Sequence, residues 1–212
     1  MTGEINLNGL LPGTKQVLET LTEEAEFLSN YIMVGGSALS VRLCHRLSED
    51  LYFFTYDNAF DKNRIYAFFR GRKHQIVNDT RDQVDILFDN VKITFFNSKW
   101  SFLKPETNSR LNVATLAQMA AMKTHTLFVR ATFRDYYDIY TLSFHIDLEE
   151  IYRNALMLMD GLNYKLFSMA LIYVEDIADE NISHLNPKVS ITKQQISEYF
   201  ISRLREKDGP PA

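Results

Sequence analysis

Four apolar residues, Tyr31-Ile32-Met33-Val34, run straight into Gly35-Gly36-Ser37, and a second apolar run, Leu51-Tyr52-Phe53-Phe54, starts directly after Asp50. This arrangement limits the fold more than any other stretch of the chain. The first run reads as a short buried strand entering a tight turn. A helix over 37–44 follows, then a second strand over 50–55. Without Cβ atoms, Gly35 and Gly36 let a ligand come close to the backbone. Ser37 stands at the helix start, where free N–H groups and the helix dipole favour an anion. Asp50 returns beside the turn at the edge of the next strand, a place suited to holding Mg²⁺ against a triphosphate.

Further on, Gln83–Phe88 and Val91–Phe96 flank Asp89-Asn90, which suits a two-residue hairpin turn. In that register Phe88 faces Val91, Ile86 faces Ile93 and Val84 faces Phe95, giving one apolar face. Gln83, Asp85 and Leu87 against Lys92, Thr94 and Phe96 make the other, with Asp85 directly opposite Thr94.

Elsewhere the periodicity is helical. Residues 1–11 read as a loose leader, and 12–30 as a helix with Leu18, Leu21, Ala25 and Leu28 on one face. Asp57 is placed to cap a helix over 59–70. The basic run from Arg70 to His74 reads as a solvated turn, with phosphate contact as the alternative. The loop over 98–110 contains Pro105 and sets a domain boundary, giving an α/β domain over 1–105 and a helical domain over 106–212. In the latter, helices are expected over 115–129, 134–144, 147–159 and 164–174, and from Thr192 onward. Asp147 and Thr192 open two of them as caps, and 208–212 reads as a frayed tail.

Composition limits the setting. With 46% hydrophobic residues in 212, the chain can build a real core. No apolar run is long enough to cross a membrane. The start lacks the basic and apolar segments of a signal peptide, and Cys44 is the only cysteine, so a cytoplasmic protein is expected. A net charge of -4 argues against a strongly basic nucleic-acid binder but leaves room for a local basic patch.

The string from Gly35 to Phe54, with His45-Arg46-Leu47-Ser48-Glu49-Asp50 at its centre, resembles the AbiEii/AbiGii toxin family of the polymerase-β-like nucleotidyltransferase superfamily. A second string is similar to the same family's downstream signature: Met119-Ala120-Ala121-Met122-Lys123, then Arg130, then Arg134-Asp135-Tyr136-Tyr137-Asp138. The resemblance implies an α+β fold, with a small mixed sheet flanked by helices and followed by a C-terminal helical bundle. It implies a nucleoside triphosphate and Mg²⁺ as ligands, an RNA acceptor such as tRNA, and a partner antitoxin within a bacterial toxin–antitoxin or phage-defence pair. Such an enzyme joins an α-phosphate to an acceptor and expels pyrophosphate, so positioning and charge neutralisation dominate. Asp50 and Lys123 are the expected catalytic residues, Lys123 reaching a phosphate as a point charge. Asp135 is the third, either orienting Lys123 or activating an acceptor hydroxyl. Gly35, Gly36, Ser37, Arg46, Arg130 and Arg134 are the expected phosphate contacts. The competing readings are a solvated lysine at 123 and ordinary capping or ion pairing at Asp135 and Asp138.

One position departs from the superfamily pattern. Its enzymes carry Asp-x-Asp on one strand, because side chains at i and i+2 share a face and clasp one metal. Here the second position is Tyr52, a poor ligand for a hard cation at neutral pH. Asp85, across the hairpin on the same face, is the candidate to supply the missing charge beside Asp50. A weakened Mg²⁺ site is expected. Two functional readings follow: a toxin-like nucleotidyltransferase, or a catalytically inactive fold that binds nucleotide or protein.

Overall fold

A computed structural model describes residues 5–56, 60–103, 110–178 and 181–206. The chain divides into two units, Met1–Thr115 and Leu116–Ala212. The boundary expected at 105/106, the cap at Asp57 and the tail over 208–212 all lie outside the described residues.

The first unit contains α1 (Pro12–Glu24), β1 (Ile32–Val34), α2 (Gly35–Leu43), β2 (Leu51–Thr55), α3 (Lys62–Phe69), β3 (His74–Asp79), β4 (Gln83–Phe88), β5 (Val91–Asn97) and β6 (Asn112–Val113). The strands form one mixed sheet in the order β3-β4-β5-β2-β1-β6. β2 runs parallel to β5 and β1 parallel to β6, and the other pairs are antiparallel.

The hairpin forms in the expected register, with Asp85 opposite Thr94 and Ile86 opposite Ile93. Asp89 and Asn90 both take left-handed backbone angles, φ 48° and 61°, as a type I′ turn requires. Val84, Ile86, Phe88, Val91, Ile93 and Phe95 are all buried. Phe95 stacks on Phe53 of β2 with centroids 5.5 Å apart, and Tyr31 meets Phe95 edge-on at 5.4 Å. Each fully buried ring of this kind contributes about 1.5–3 kcal/mol by leaving water. On β2, Leu51, Phe53 and Thr55 point into this core, while Tyr52 and Phe54 lie half-buried on the opposite face.

Several local expectations need correction. The leader is not loose from residue 5 onward. Residues Leu7–Gly9 form a 3₁₀ turn, Leu10 is buried, and Asn6 N–H donates to the Val41 carbonyl at 2.7 Å. Gly9 permits this docking, because a Cβ there would sit 2.1 Å from the Ser40 carbonyl oxygen. The first helix stops at Glu24 rather than running to Asn30. Ala25 leaves helical geometry (φ -95°, ψ 85°), and Glu26–Asn30 continues as a 3₁₀ segment with Phe27 and Leu28 buried. The next helix, α3, is capped by Asp61, whose carboxylate accepts from Asn63 N–H at 2.9 Å. β3 and β6 were not anticipated. β3 is a sheet-edge strand with a register shift between Ile76 and Asn78 and with Ile76 and Val77 exposed, so no clean alternation marks it. β6 has only two residues; the Arg42 guanidinium, donating to the Val113 and Ala114 carbonyls at 2.7 and 2.6 Å, pins it in place.

The described residues of the second unit are helical: α4 (Leu116–Val129), α5 (Phe133–Leu142), α6 (Leu148–Ala155), α7 (Tyr164–Ile172) and α8 (Lys193–Arg205), with two 3₁₀ turns between α7 and α8. Asp147 caps α6, its side chain accepting from Glu150 N–H at 2.8 Å, and Thr192 opens α8 as expected, closing a capping box with Gln195. α6 ends at Ala155, short of the expected Met159, and the chain continues in turns. Ile196 and Phe200 are fully buried, as the periodicity of α8 requires. Among the described residues no helix is long and apolar enough to cross a membrane.

Gly9→Ala forces a methyl group against backbone that cannot swing away. We expect it to destabilise the first unit by about 1–3 kcal/mol, the usual range for overpacking, measured by denaturant unfolding. An unchanged midpoint would show that the 5–11 segment does not dock on α2.

Candidate phosphate turn and buried lysine cluster

In the first unit the expected site residues converge at the start of α2. Val34, extended, is the N-cap of the helix, and its side chain makes no cap hydrogen bond to the first-turn N–H groups. Gly35 has φ +75°, a left-handed angle that only glycine adopts without strain. The Tyr52 ring lies against it, since a Cβ at Gly35 would be 3.4 Å from Tyr52 Cδ2. At Gly36 a Cβ would meet an Arg46 guanidinium nitrogen at 2.6 Å. Arg46 is buried, and its other terminal nitrogen donates to the Leu47 carbonyl at 2.9 Å. A full positive charge therefore lies directly beneath Gly36.

Ser37 is fully buried, so its hydroxyl does not face solvent. It donates to the Asp50 backbone carbonyl and lies 2.9 Å from the Ser48 hydroxyl. This ties the helix start to the residue that opens β2. A ligand at this turn meets Ser37 through its backbone N–H, while the side chain fixes the position of Asp50. Ser48 had no role in the sequence reading, although it lies inside the string that carries the family resemblance.

Asp85 stands where the register put it, with its surroundings filled. Its Oδ1 accepts from the Thr94 hydroxyl and the Gln83 side-chain amide, both at 2.8 Å. Its Oδ2 lies 3.5 Å from the Lys92 ammonium. The residues present do not fit a resident Mg²⁺ of the Asp-x-Asp kind. Asp50 has Tyr52 at i+2, and Asp85 is almost buried and already carries three partners. Among the described residues no group of three or more His, Cys, Asp or Glu side chains is placed to hold a metal ion.

The second unit gathers Lys123, Arg130, Asp135 and Asp138. Lys123 on α4 is buried and lies 3.0 Å from Asp135 and 2.5 Å from Asp138, both fully buried on α5. Arg130 grips Asp135 with two guanidinium nitrogens at 3.0 Å each, the bidentate geometry that makes such pairs strong. Asp135 is also the third residue of α5 and closes a capping box with Thr132, whose hydroxyl donates to it at 2.7 Å. Thr132 was overlooked in the sequence, although Thr-x-x-Asp before an aromatic run is a helix-start signature. Arg134 lies half-buried in the first turn of α5. Lys123 is thus not a solvated lysine, and Asp135 is both cap and ion-pair partner. Burial alone would raise the Asp135 carboxyl. The Lys123 charge, Arg130 and the Thr132 hydroxyl outweigh it and hold the group well below the ordinary carboxylate range. A carboxylate this acidic orients a lysine well and takes a proton from a hydroxyl poorly.

The mixed sheet with its glycine turn, and the helical unit with its lysine–aspartate cluster, define a protein of nucleotidyltransferase fold. Residues 80–163, less than half of the chain, match the family model described as "Nucleotidyl transferase AbiEii toxin, Type IV TA system". That match spans the hairpin and the Lys123–Asp138 cluster; the glycine turn precedes it. An uncharacterised protein of Aquifex aeolicus (strain VF5) is 25% identical over 185 residues, covering 84% of this chain and 88% of that protein. The crystal structure of JHP933 from Helicobacter pylori aligns with a TM-score of 0.50 at 18% identity, over 94% of this chain and 96% of that one. A second H. pylori structure, provisionally named a nucleotidyltransferase, aligns with a TM-score of 0.54 at 17% identity, over 91% and 94%. At such identities the two structures speak for the fold alone.

Two outcomes follow from the buried cluster. Lys123→Met removes the ammonium from two buried carboxylates, and we expect the second unit to lose about 3–5 kcal/mol, measured by chemical denaturation. Because the folded Asp135 carboxyl is depressed, its contribution is fully present above the unfolded value of about 3.9. It is lost as pH falls through the folded value. Helical signal from the second unit should therefore hold from neutral pH to about pH 4, and the wild type should lose stability more steeply below that than Asp135→Asn. Equal acid slopes in the two proteins would contradict this.

Proposed function

We propose that this is a toxin-like nucleotidyltransferase that binds a nucleoside triphosphate by its phosphates at the Gly35–Gly36 turn. It transfers the nucleotide to an RNA or protein acceptor, as the toxin half of a cytoplasmic toxin–antitoxin or phage-defence pair with a partner antitoxin. The observation that carries this reading is the left-handed Gly35 at an uncapped helix start, with the Arg46 guanidinium buried beneath Gly36. Backbone N–H groups, a helix dipole and one fixed cation suit a polyphosphate. Ser37 ties the backbone of Asp50 beside the turn, where the Asp50 side chain lies half-buried. In the transfer, the acceptor oxygen bonds to the α-phosphorus, the bond to the bridging oxygen breaks, and pyrophosphate leaves. In the second unit Lys123 is held by Asp135 and Asp138, and Arg130 and Arg134 lie near it in sequence. The Mg²⁺ on which the superfamily relies has no fitting resident site of the Asp-x-Asp kind here, because position 52 is tyrosine and Asp85 is already partnered.

A second reading has its own observation. The Tyr52 ring packs against Gly35 where a carboxylate would otherwise face the ligand. A nucleotide-binding module without turnover is the function this favours.

Incubation of the full chain with each labelled nucleoside triphosphate and total RNA separates the two. Label transferred to RNA or protein, and reduced about 10²-fold or more in Asp50→Asn, as for loss of an essential electrostatic group, supports the transferase. Binding of a nucleotide without transfer supports the silent module. Neither transfer nor binding with any of the four nucleotides would overturn the proposal.

A further inference from the structure

The parallel register of β2 and β5 pairs Leu51 with Ile93 and Tyr52 with Thr94. Carried back one residue on each strand, it sets Asp50 beside Lys92. Lys92 alternates with Ile93 and Phe95, which point into the core, so it shares the sheet face of Tyr52, Thr94 and Asp85. Its ammonium lies 3.5 Å from Asp85 Oδ2; its side chain is 41% exposed and that of Asp85 only 7%. By register, the backbone position of Lys92 therefore lies between that of Asp50 and the hairpin strand that carries Asp85. Asp50 and Asp85 are the two groups that would otherwise be drawn together by a divalent ion.

We propose that the Lys92 ammonium is the resident cation of the first unit's phosphate site, filling the place a divalent metal ion takes when the strand carries two carboxylates. This rests on the reading of the Gly35–Gly36 turn as a polyphosphate cradle. The carboxylate of Asp85 is the anchor: Thr94 and Gln83 fix its Oδ1, and Oδ2 is left for the lysine. A divalent ion brought to Asp85 meets the ammonium at close range and is repelled. The exposed part of the lysine leaves its remaining N–H donors free to receive phosphate oxygens as a compact point charge. Tyr52 and Lys92 then form one exchange. The strand has lost a carboxylate, and the cation that stays in place is covalently attached. A polyphosphate is bound by Lys92 and the α2 N–H groups without a metal, with the buried Arg46 charge lying behind Gly36.

The test uses the full chain as wild type, Lys92→Met, Lys92→Arg, Tyr52→Asp and the double variant Tyr52→Asp/Lys92→Met, each checked for folding by circular dichroism. Inorganic triphosphate is titrated by calorimetry in EDTA and again in Mg²⁺, and Mn²⁺ is titrated by electron paramagnetic resonance. Wild type is expected to bind triphosphate equally in both buffers. Lys92→Met should bind about tenfold more weakly, the size of one charge-assisted contact, and Lys92→Arg should keep the affinity. A tight Mn²⁺ site should appear in the double variant and not in Tyr52→Asp alone. Triphosphate binding that needs Mg²⁺ overturns the proposal and leaves the nucleotide reading standing, as does equal Mn²⁺ affinity in Tyr52→Asp and the double variant. Absence of triphosphate binding in both buffers overturns this proposal together with the cradle on which it rests.

Discussion

The buried hydroxyl of Ser37 holds the first unit's site together. It has one proton, which it gives to the Asp50 backbone carbonyl, and it lies within hydrogen-bond distance of the Ser48 hydroxyl. Three segments meet at this atom: the first turn of α2, the loop that follows the helix, and the start of β2. The Ser37 and Ser48 hydroxyls are buried, so each depends on the other; an unpaired one costs about 1–3 kcal/mol. The same knot explains the two glycines. With Ser37 turned inward, the chain before it must pass through the left-handed angle at Gly35. The bare Cα of Gly36 then becomes the lid over Arg46. Glycine turn, buried cation and the start of β2 are thus one packing solution.

The second unit solves a different problem with the same economy. A buried ion cluster is poor evidence of net stability, because desolvation offsets most of its attraction. What Lys123, Asp135, Asp138 and Arg130 gain is a fixed place for one ammonium. Arg130 and the capping-box contact from Thr132 hold Asp135 from the start of α5, and Asp135 holds Lys123 on α4. The α4–α5 turn is therefore locked by the same carboxylate that positions the lysine.

What could be read from the sequence followed from period and register. The hairpin was legible to the residue, because Asp89-Asn90 admits one turn type and the alternation on either side admits one pairing. The caps at Asp147 and Thr192 were legible for the same local reason. Misreadings arose where tertiary contacts decide. The leader over 5–11 has no periodicity, and it docks on α2 through the close approach that Gly9 allows and the Asn6–Val41 backbone bond. β3 is polar and exposed at the sheet edge, and β6 is too short to carry any pattern. At the site, the glycines, Asp50 and Lys123 stood out by type. The inward turn of Ser37, the burial of Arg46 beneath Gly36 and the saturation of Asp85 did not. Which neighbour a polar atom meets is set by packing between segments far apart in the chain.

The two faces of the sheet explain why fold and chemistry can part company here. On the inner face Leu51, Phe53, Ile93 and Phe95 are fully buried and interlocked, so a change of size or polarity there is felt by the whole unit. On the other face position 52 is half-buried, and strand preference favours a tyrosine over an aspartate. Folding therefore exerts no demand for a carboxylate at that position; only metal chemistry would. A chain can exchange it, keep every buried ring in place, and still align with nucleotidyltransferase-fold structures over nine-tenths of its length. Activity must accordingly be argued from Asp50, Tyr52, Asp85 and Lys92 as they stand, because the architecture is satisfied by either chemistry.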